Sequence, residues 1–515
     1  MRKERKKYLI FHFLLIFFHL LLNLLILEKD NVPFSFDEGG IYQISREYYK
    51  NLLKHPPADL GRIYRIYYSF TSFYPPLYML SHLPIFILFG EGEDQSVVTN
   101  FFYLSLLIWI IYLLGKEFWN EKKGFLFACL LSIFPSIGGF SRTEFPVISL
   151  TFFLFLSLYL LLKTDGFKKT KYSFLSGISV GCGILTKLYF PVYIFPPLIL
   201  EAFKIRNKNS FLNFLLFLLV CFVLVGSWLI PNLATGLFFK EKEELLGKLY
   251  KNPVNLEGSA IYLCSFWKQM SPPFFLLFLF SFPLYLRNWQ GMKKVILTAF
   301  LFPLFFFTFL GFKQGRYILP LLPFMAIIIS SAWEKKGETL LWIFISLGFL
   351  QLLKPALFSS PHLGFTHQDY VERRRYGLIS PHRVEWPIEK IRNIVISLGK
   401  EEITVKAIGI SPFISALDYK FLLWKEIEGE KEFEKVQFLP LLISPHFSKR
   451  ENIGDAELLI WEEGIAQKIK EDEKRVKYLW ELMKEFEEKR RKYYLLEILN
   501  TSECSYYLYV RKDEG

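Results

Sequence analysis

The stretch "SFDEGGIYQISREYYKN", residues 35–51, places two adjacent carboxylates, Asp37 and Glu38, shortly after an apolar run at 8–27. That run is long enough to cross a bilayer, because a hydrocarbon layer of about 30 Å needs about 20 apolar residues in a helix. It is too long for the apolar part of a signal peptide, and no small-residue cleavage site follows it. The two carboxylates are therefore expected at the edge of a membrane.

Apolar runs of this kind recur along the chain. Of its 515 residues 52% are hydrophobic and 56 are Phe, far more apolar matter than one soluble core needs. After 8–27 the runs lie at 97–114, 124–140, 145–162, 174–187, 188–203, 211–230, 273–286, 295–311, 317–333 and 339–356. The sequence thus predicts a polytopic α-helical membrane protein with about eleven transmembrane helices.

One further apolar run, 73–90, is ambiguous because Pro75-Pro76, His82 and Pro84 interrupt it. If it does not cross, five short loops on the side of the basic N-terminus hold fifteen Lys and Arg, against four in the short loops of the other side. Basic loops favour the cytoplasm. We therefore expect 73–90 to form interfacial helices in the first outer loop, with the N-terminus cytoplasmic in the plasma (inner) membrane.

The tail beyond the last run has a different composition. Residues 1–356 are predicted to form the transmembrane domain and 357–515 a small extracytoplasmic α/β domain with mixed charge. Its candidate strands are 403–410, 438–444, 456–461, 493–500 and 505–511, and its candidate helices are 386–399, 412–426 and 465–492.

Charge and cysteine content exclude other classes. The net charge of +13 is explained by the basic loops, so no nucleic-acid partner is needed. The five cysteines are far apart and contain no CxxC pair, which indicates neither a disulfide framework nor a metal site built from cysteines.

On this topology the unusual polar residues fall at the outer ends of helices. Ionisable groups near hydrocarbon depth cost about 2.5 kcal/mol or more unless they are paired or solvated, which argues for a site. Carboxylates can act as a general base or bind a divalent cation, and Lys and Arg can bind a phosphate. The residues are Asp37, Glu38, Arg142, Glu144, Lys187, Lys313 and Arg316.

These residues lie in motifs that resemble a family. "DEGGIYQISREY" after the first run, "YPPLYML", "SRTEFP", "LTK" and "GRYILPLLP" occur in the order and at the helix ends typical of GT-C glycosyltransferases. The nearest branch contains the lipid A aminoarabinose transferase and bacterial relatives of protein O-mannosyltransferases. The resemblance covers about 1–356, and Phe73-Tyr74 stand where the family commonly has His or Glu-Lys before the prolines.

The resemblance implies a reaction and its residues. Members of this family move a sugar from a polyprenyl-phosphate donor, with inversion at C1, to a lipid, glycan or protein acceptor at the outer face. Asp37 matches the catalytic carboxylate and Glu38 its neighbour, while Glu144 matches a second acidic residue near the sugar or a metal. The matches to substrate-binding positions are Arg142, Lys187, Lys313, Arg316 and Tyr317. Asp37 and Glu144 are candidate ligands for a divalent cation, although no cofactor is certain.

Each assignment has a structural alternative. Asp37 and Glu38 could cap the helix that follows them, and Lys187 and Arg316 could be cations anchored at a membrane surface. Arg142 and Glu144 could pair with each other, and Tyr317 could belong to the interfacial aromatic belt. Gly177, Gly181 and Gly183 are expected to allow close helix packing. The alternative functions are a transporter or flippase for lipid-linked sugars and a non-catalytic scaffold.

Overall fold

A computed structural model describes residues 2–54, 74–234, 256–357 and 387–512. Within these ranges it leaves out residues 33, 288–290, 311–312, 334–336, 399–402, 410–412, 415–416, 418–419, 422–423, 425–435, 441–452, 455, 466–472 and 501–503. The chain forms two compact units. The helical unit contains Met1–Leu25, Ile44–Leu357 and Arg375–Leu378, and the sheet unit contains Ile26–Gln43, Phe358–Arg374 and Ile379–Gly515. The predicted domain boundary at 356 stays a prediction.

Sixteen α-helices lie between residues 2 and 357 of the described chain. They are α1 Arg2–Lys29, α2 Phe36–Tyr49, α3 Leu77–Leu80, α4 Leu83–Phe89, α5 Glu93–Phe118, α6 Glu121–Ser132, α7 Pro135–Ser141, α8 Val147–Thr164, α9 Thr170–Thr186, α10 Phe190–Ala202, α11 Lys208–Ala234, α12 Leu256–Met270, α13 Pro272–Leu286, α14 Met292–Phe309, α15 Leu322–Ala332 and α16 Glu338–Leu357.

Each of the eleven predicted runs coincides with helix, which confirms a largely helical membrane protein. Among the described residues, length and apolar composition identify six helices that could cross a membrane, or up to eight if bent pairs count as single spans. One such pair, α6 with α7, bends by 68° at the Pro135 break, and the pair formed by α12 and α13 bends by 115°. The count of eleven crossings stays a prediction.

The helical unit has an interior and a lipid-like exterior. Helix α8 packs against α5 and α9 and is mostly buried. Helix α11 instead exposes Phe211, Phe222 and Val223, and α14 exposes Phe305. Exposed aromatic and branched side chains in such numbers are expected where the solvent is hydrocarbon rather than water.

Small residues bring α9 and α11 together. A methyl group on Gly177 would lie 2.8 Å from the Phe217 carbonyl oxygen, and one on Gly181 would lie 3.0 Å from the Leu224 side chain. The predicted packing role of the glycines in α9 is therefore confirmed, because only a missing side chain allows this approach.

The ambiguous run 73–90 contains two short helices, α3 and α4, which join at Ser81-His82. Together they cover Leu77–Phe89, fewer residues than the roughly 20 that a crossing requires. This length supports the interfacial prediction, and the placement of the run in a membrane remains a prediction.

The sheet unit contains five strands: β1 Ile403–Ile408, β2 Val436–Pro440, β3 Leu458–Glu462, β4 Tyr493–Asn500 and β5 Ser505–Arg511. Their order is β2-β1-β3-β5-β4. Strand β1 runs parallel to β2 and β3, whereas β5 is antiparallel to β3 and β4. Helix α17 (Ile388–Ser397) and helix α18 (Glu473–Lys489) belong to separate apolar clusters that contain alternate residues of β1 and β3.

The predicted α/β fold of the tail is therefore confirmed, and each of the five candidate strands overlaps an observed strand, while 441–444 lie outside the described residues. The alternation of apolar residues identified them because successive strand residues point to opposite faces of a sheet. The candidate helix 412–426 lies largely outside the described residues.

Candidate functional site

The carboxylates of the opening motif lie in the first turn of α2. The Glu38 Oε2 atom accepts hydrogen bonds from the Ser35 backbone N–H at 3.2 Å and from the Ser35 hydroxyl at 2.5 Å. Glu38 is 1% exposed, whereas Asp37 is exposed. Glu38 therefore forms half of a capping box, and the S-x-x-E spacing of Ser35 and Glu38 is a sequence signature of that motif.

Glu144 lies in the 141–146 segment, which contains the last residue of α7 and the connection to α8. Its Oε1 atom is 2.6 Å from His82 Nε2, and neither side chain has any exposed surface. The Nδ1 atom of His82 faces the backbone oxygens of Tyr78 at 3.0 Å and Met79 at 3.2 Å, and Ser45 Oγ at 3.3 Å. Glu144 thus contacts the junction of α3 and α4 rather than open solvent.

Asn100, on α5, holds the backbone on both sides of Glu144. Its Nδ2 atom lies 2.6 Å from the Thr143 carbonyl oxygen and 3.1 Å from that of Phe145. The same nitrogen is 2.8 Å from the Tyr78 hydroxyl oxygen. Asn100 is fully buried, so these contacts replace water for carbonyl groups that no helix satisfies.

Arg142 is also buried, and one of its partners lies on α1. Its Nη1 atom donates to Asn23 Oδ1 at 2.9 Å, while Asn23 Nδ2 donates to Ser141 Oγ at 3.1 Å. The side-chain amide of Asn23 therefore joins α1 to the end of α7. This arrangement indicates a role in fixing the 141–146 segment.

Lys187 follows α9 as its C-cap residue and is half-buried. Its ammonium nitrogen lies 4.8 Å from the centroid of the Tyr74 ring. Tyr74 precedes the two prolines and occupies one of the positions where the sequence departs from the family pattern. An ammonium group over an aromatic face is an attractive cation–π contact, and this one joins two of the predicted motifs.

Arg316 lies in a short 3₁₀ turn, Gly315–Tyr317, and is half-buried. Its guanidinium carbon is 4.9 Å from the centroid of the Phe145 ring, and its Nε atom donates to Gln314. The turn is fixed from α12 by Gln269, whose Nε2 donates to the Gly315 oxygen at 2.7 Å. Arg316 therefore lies directly over the residue that follows Glu144.

Tyr317 is held by aromatic neighbours. Its ring stacks on Phe307 at 5.4 Å and meets the edge of Tyr189 at 5.2 Å. Its carbonyl oxygen accepts a hydrogen bond from the Tyr193 hydroxyl at 2.6 Å. Lys313, in contrast, donates to the Leu310 carbonyl oxygen at 2.8 Å.

Within the helical unit, most predicted site residues are thus connected. Glu144 contacts His82, the adjacent Phe145 carries Arg316, and Tyr317 contacts Tyr189, two residues from Lys187. Asp37 and Glu38 belong to the sheet unit, and the predicted convergence of all these groups stays a prediction.

Sequence reasoning missed the roles of three polar residues of this cluster, Asn23, His82 and Asn100, although His82 was noted as an interruption of the run 73–90. Each is a polar side chain inside an apolar run, which is a signal of function or of internal pairing. Among the described residues, no group of three or more His, Cys, Asp or Glu could bind a metal ion.

The chain matches a known family over part of its length. The model of the family described as dolichyl-phosphate-mannose-protein mannosyltransferase matches residues 74–230, which include the proline motif and the 141–146 segment. No curated protein matches the chain.

Solved structures match the fold over nearly the whole chain. ArnT from Cupriavidus metallidurans bound to undecaprenyl phosphate is 13% identical, with a TM-score of 0.60, covering 97% of this chain and 98% of that chain. The apo state of the same protein gives 13% identity, a TM-score of 0.59 and 98% coverage of both chains. The Archaeoglobus fulgidus oligosaccharyltransferase in complex with Zn and sulfate gives 12% identity and a TM-score of 0.47, covering 87% of this chain and 68% of that chain.

Proposed function

We propose that this protein, which has the fold of the GT-C glycosyltransferases, is a membrane glycosyltransferase with a polyprenyl-phosphate-linked sugar as donor. The observation that carries the proposal is the full-length match to ArnT, a protein whose structure holds undecaprenyl phosphate. The match of residues 74–230 to the mannosyltransferase model supports it independently. The acceptor is the hydroxyl group of a lipid, glycan or protein at the outer face of the plasma (inner) membrane.

Two half-buried cations support binding of the carrier phosphate. Lys187 and Arg316 each lie over an aromatic ring, with part of the side chain still exposed. A guanidinium group in such surroundings interacts more strongly with phosphate than it does in water, because the local dielectric constant is lower. Lys313 supplies a further positive charge in the same loop.

The proposed reaction is one inverting displacement. The acceptor oxygen attacks C1 of the sugar, Asp37 takes the hydroxyl proton, and the bond from C1 to the phosphate oxygen breaks with its electron pair. The departing polyprenyl phosphate gains a negative charge, which Lys187 and Arg316 stabilise. The assignment of these residues to one reaction rests on the resemblance of the motifs.

The carboxylates differ in their suitability as the base. Asp37 is exposed, whereas Glu38 caps α2 and Glu144 is buried against His82. A general base has to reach the proton of the acceptor, so we assign that role to Asp37.

The decisive experiment uses purified protein in lipid nanodiscs with a panel of polyprenyl-phosphate sugars and a membrane extract as acceptor. We expect the wild type to release polyprenyl phosphate and label an acceptor, and Asp37→Asn to lose at least about a hundredfold in rate. Asp165→Asn is the matched control, because Asp165 is an exposed residue of the α8–α9 connection whose φ of 52° Asn tolerates. Donor binding without release, unchanged in Asp37→Asn, would favour a transporter or a scaffold.

The phosphate assignment has its own test. Lys187→Gln is expected to weaken binding of polyprenyl phosphate by about 10- to 100-fold, the value of one charge-assisted hydrogen bond. Lys168→Gln, an exposed lysine of the α8–α9 connection, should leave the affinity unchanged. If Lys187→Gln, Lys168→Gln and the wild type bind polyprenyl phosphate with equal affinity, Lys187 is a surface anchor and does not contact the phosphate.

A further inference from the structure

A buried histidine and a buried glutamate meet in the helical unit. His82 lies at the junction of α3 and α4, and Glu144 lies between α7 and α8. Both side chains have zero exposed surface and their nearest atoms are 2.6 Å apart. Neither a charged carboxylate nor a charged imidazole is expected at such a position without a partner that compensates it.

The two ring nitrogens of His82 face different groups. Its Nδ1 atom faces the carbonyl oxygens of Tyr78 and Met79, which can only accept hydrogen bonds, so Nδ1 carries a hydrogen atom. The Nε2 atom, on the other side of the ring, faces Glu144 Oε1 at 2.6 Å, so the imidazole bridges the α3–α4 junction and the carboxylate.

We infer that His82 and Glu144 form one buried pair that positions the 141–146 segment for sugar transfer, an inference that rests on the proposed function. The contact completes a closed network of contacts among buried residues. Tyr78 accepts from His82 through its carbonyl oxygen and from Asn100 through its hydroxyl oxygen, while Asn100 also contacts Thr143 and Phe145. Glu144 is thereby held from its side chain and from both neighbouring carbonyl groups.

The pair acts on the reaction through Phe145. Arg316 lies over the Phe145 ring, so the position of the 141–146 segment sets the position of the guanidinium group. The phosphate gains charge only as the bond to C1 breaks. A displaced Arg316 guanidinium therefore lowers kcat by a larger factor than it weakens binding of the donor. His82 and Glu144 are therefore positioning residues, and the role of Glu144 as a cation ligand stays a prediction.

The test is a double-mutant cycle with His82→Gln, Glu144→Gln and the double variant. Each single substitution is expected to lower kcat about 10- to 100-fold and to leave the KM for the donor within about threefold of wild type. A small displacement of the Arg316 guanidinium is enough for a loss of rate of this size. The kcat of the double variant should be no more than about threefold below that of the less active single variant, because the effects of substituting groups that act as a unit are not additive. His12→Gln is the matched control, a buried histidine of α1 whose ring stacks on Tyr112, and should stay within about twofold of wild type.

A second readout does not depend on activity. The unfolding temperatures of the four proteins should show the same coupling, with the double variant losing less than the sum of both single losses. If a single variant does not fold, recovery of folding in the double variant, where two amides can bond each other, supports the pair. Additive losses in both readouts, or a His82→Gln variant that matches His12→Gln, would overturn the inference. A wild type that is inactive with every donor would reject the proposed function, and the unfolding cycle would still decide the pair.

Discussion

Asp37 and Glu38 are adjacent, yet the first turn of α2 gives the two carboxylates different surroundings. Glu38 lies at the third position after Ser35 and reaches back to its backbone N–H, whereas Asp37 is exposed. Helix geometry causes this difference, because residues one apart lie about 100° from each other around the axis. Adjacent carboxylates at a helix start are thus suited to separate tasks.

Glu38→Gln should keep the sugar-transfer rate within about threefold of wild type, since glutamine also serves in a capping box. Glu38→Ala removes the acceptor of the Ser35 N–H and should destabilise the start of α2 by about 1 kcal/mol. Transfer rates of both variants beside Asp37→Asn provide the measurement. A Glu38→Gln variant as inactive as Asp37→Asn would make Glu38 a reacting group instead of a cap.

Glu485, on α18, links pH to the stability of the sheet unit. Burial alone would raise the pKa of this carboxyl. The hydrogen bonds from the backbone N–H groups of Ile453 and Gly454 and the ion pair with Lys489 outweigh that effect, so the pKa of Glu485 lies below its ordinary value of 4.5. A group with a lowered folded-state pKa contributes stability above pH 4.5, and that contribution is lost as the pH falls toward the folded-state value.

Glu485→Gln should therefore raise the rate of amide hydrogen exchange at Ile453 and Gly454 at neutral pH, and this difference from wild type should shrink below about pH 4.5. The control is Glu487→Gln on the same helix, because the Glu487 side chain is 65% exposed and pairs only at the surface with Arg490. Exchange rates that respond equally to both substitutions would contradict the assigned role of Glu485.

At the scale of elements, the interface between α9 and α11 depends on close approach of the two helices. Gly177 faces the Phe217 carbonyl oxygen and Val220, and both contacts are too short for an added methyl group. Because a backbone carbonyl cannot rotate away as a side chain does, the helices themselves would have to separate.

Gly177→Ala is thus expected to lower the unfolding temperature of the helical unit, although alanine favours helix over glycine by about 1 kcal/mol. Gly226→Ala on α11 is the control, since its nearest neighbour is the flexible end of Ile230 at 3.2 Å. It should be neutral or stabilising. A Gly177→Ala variant at least as stable as Gly226→Ala would show that α9 and α11 are less tightly packed than the structure indicates.

At the scale of the whole molecule, the number of crossings decides where the C-terminus lies. Eleven crossings, the number predicted from the apolar runs, put the two termini on opposite sides of the membrane, whereas six or eight put them on the same side. Basic loops assign the N-terminus to the cytoplasm. The predicted extracytoplasmic position of the tail therefore depends on the number of crossings being odd.

Reporter fusions measure this parity. In a bacterial host, alkaline phosphatase fused after Gly515 should be active and green fluorescent protein at the same point should be dark. Fusions after Ile205, in the basic connection between α10 and α11, should show the opposite pattern. A fluorescent fusion after Gly515 would indicate an even number of crossings and a cytoplasmic tail.

The sequence by itself determined the elements of this protein. Apolar runs of membrane length became helices, alternating residues in the tail became strands, and the order of the motifs pointed to the GT-C fold. These features depend on residues that are close in the chain, because helix and strand periodicity and the capping of Ser35 by Glu38 are local.

Only the tertiary structure decided the partners of the polar residues. Glu144 contacts His82, Asn100 holds the carbonyl groups 43 and 45 residues away, and Arg142 bonds Asn23 across 119 residues. Sequence reasoning left open whether Arg142 and Glu144 pair with each other, since each is compatible with many partners of opposite charge. The choice is made by which helices pack together, because a buried polar group bonds whatever distant group the packing brings within about 3 Å.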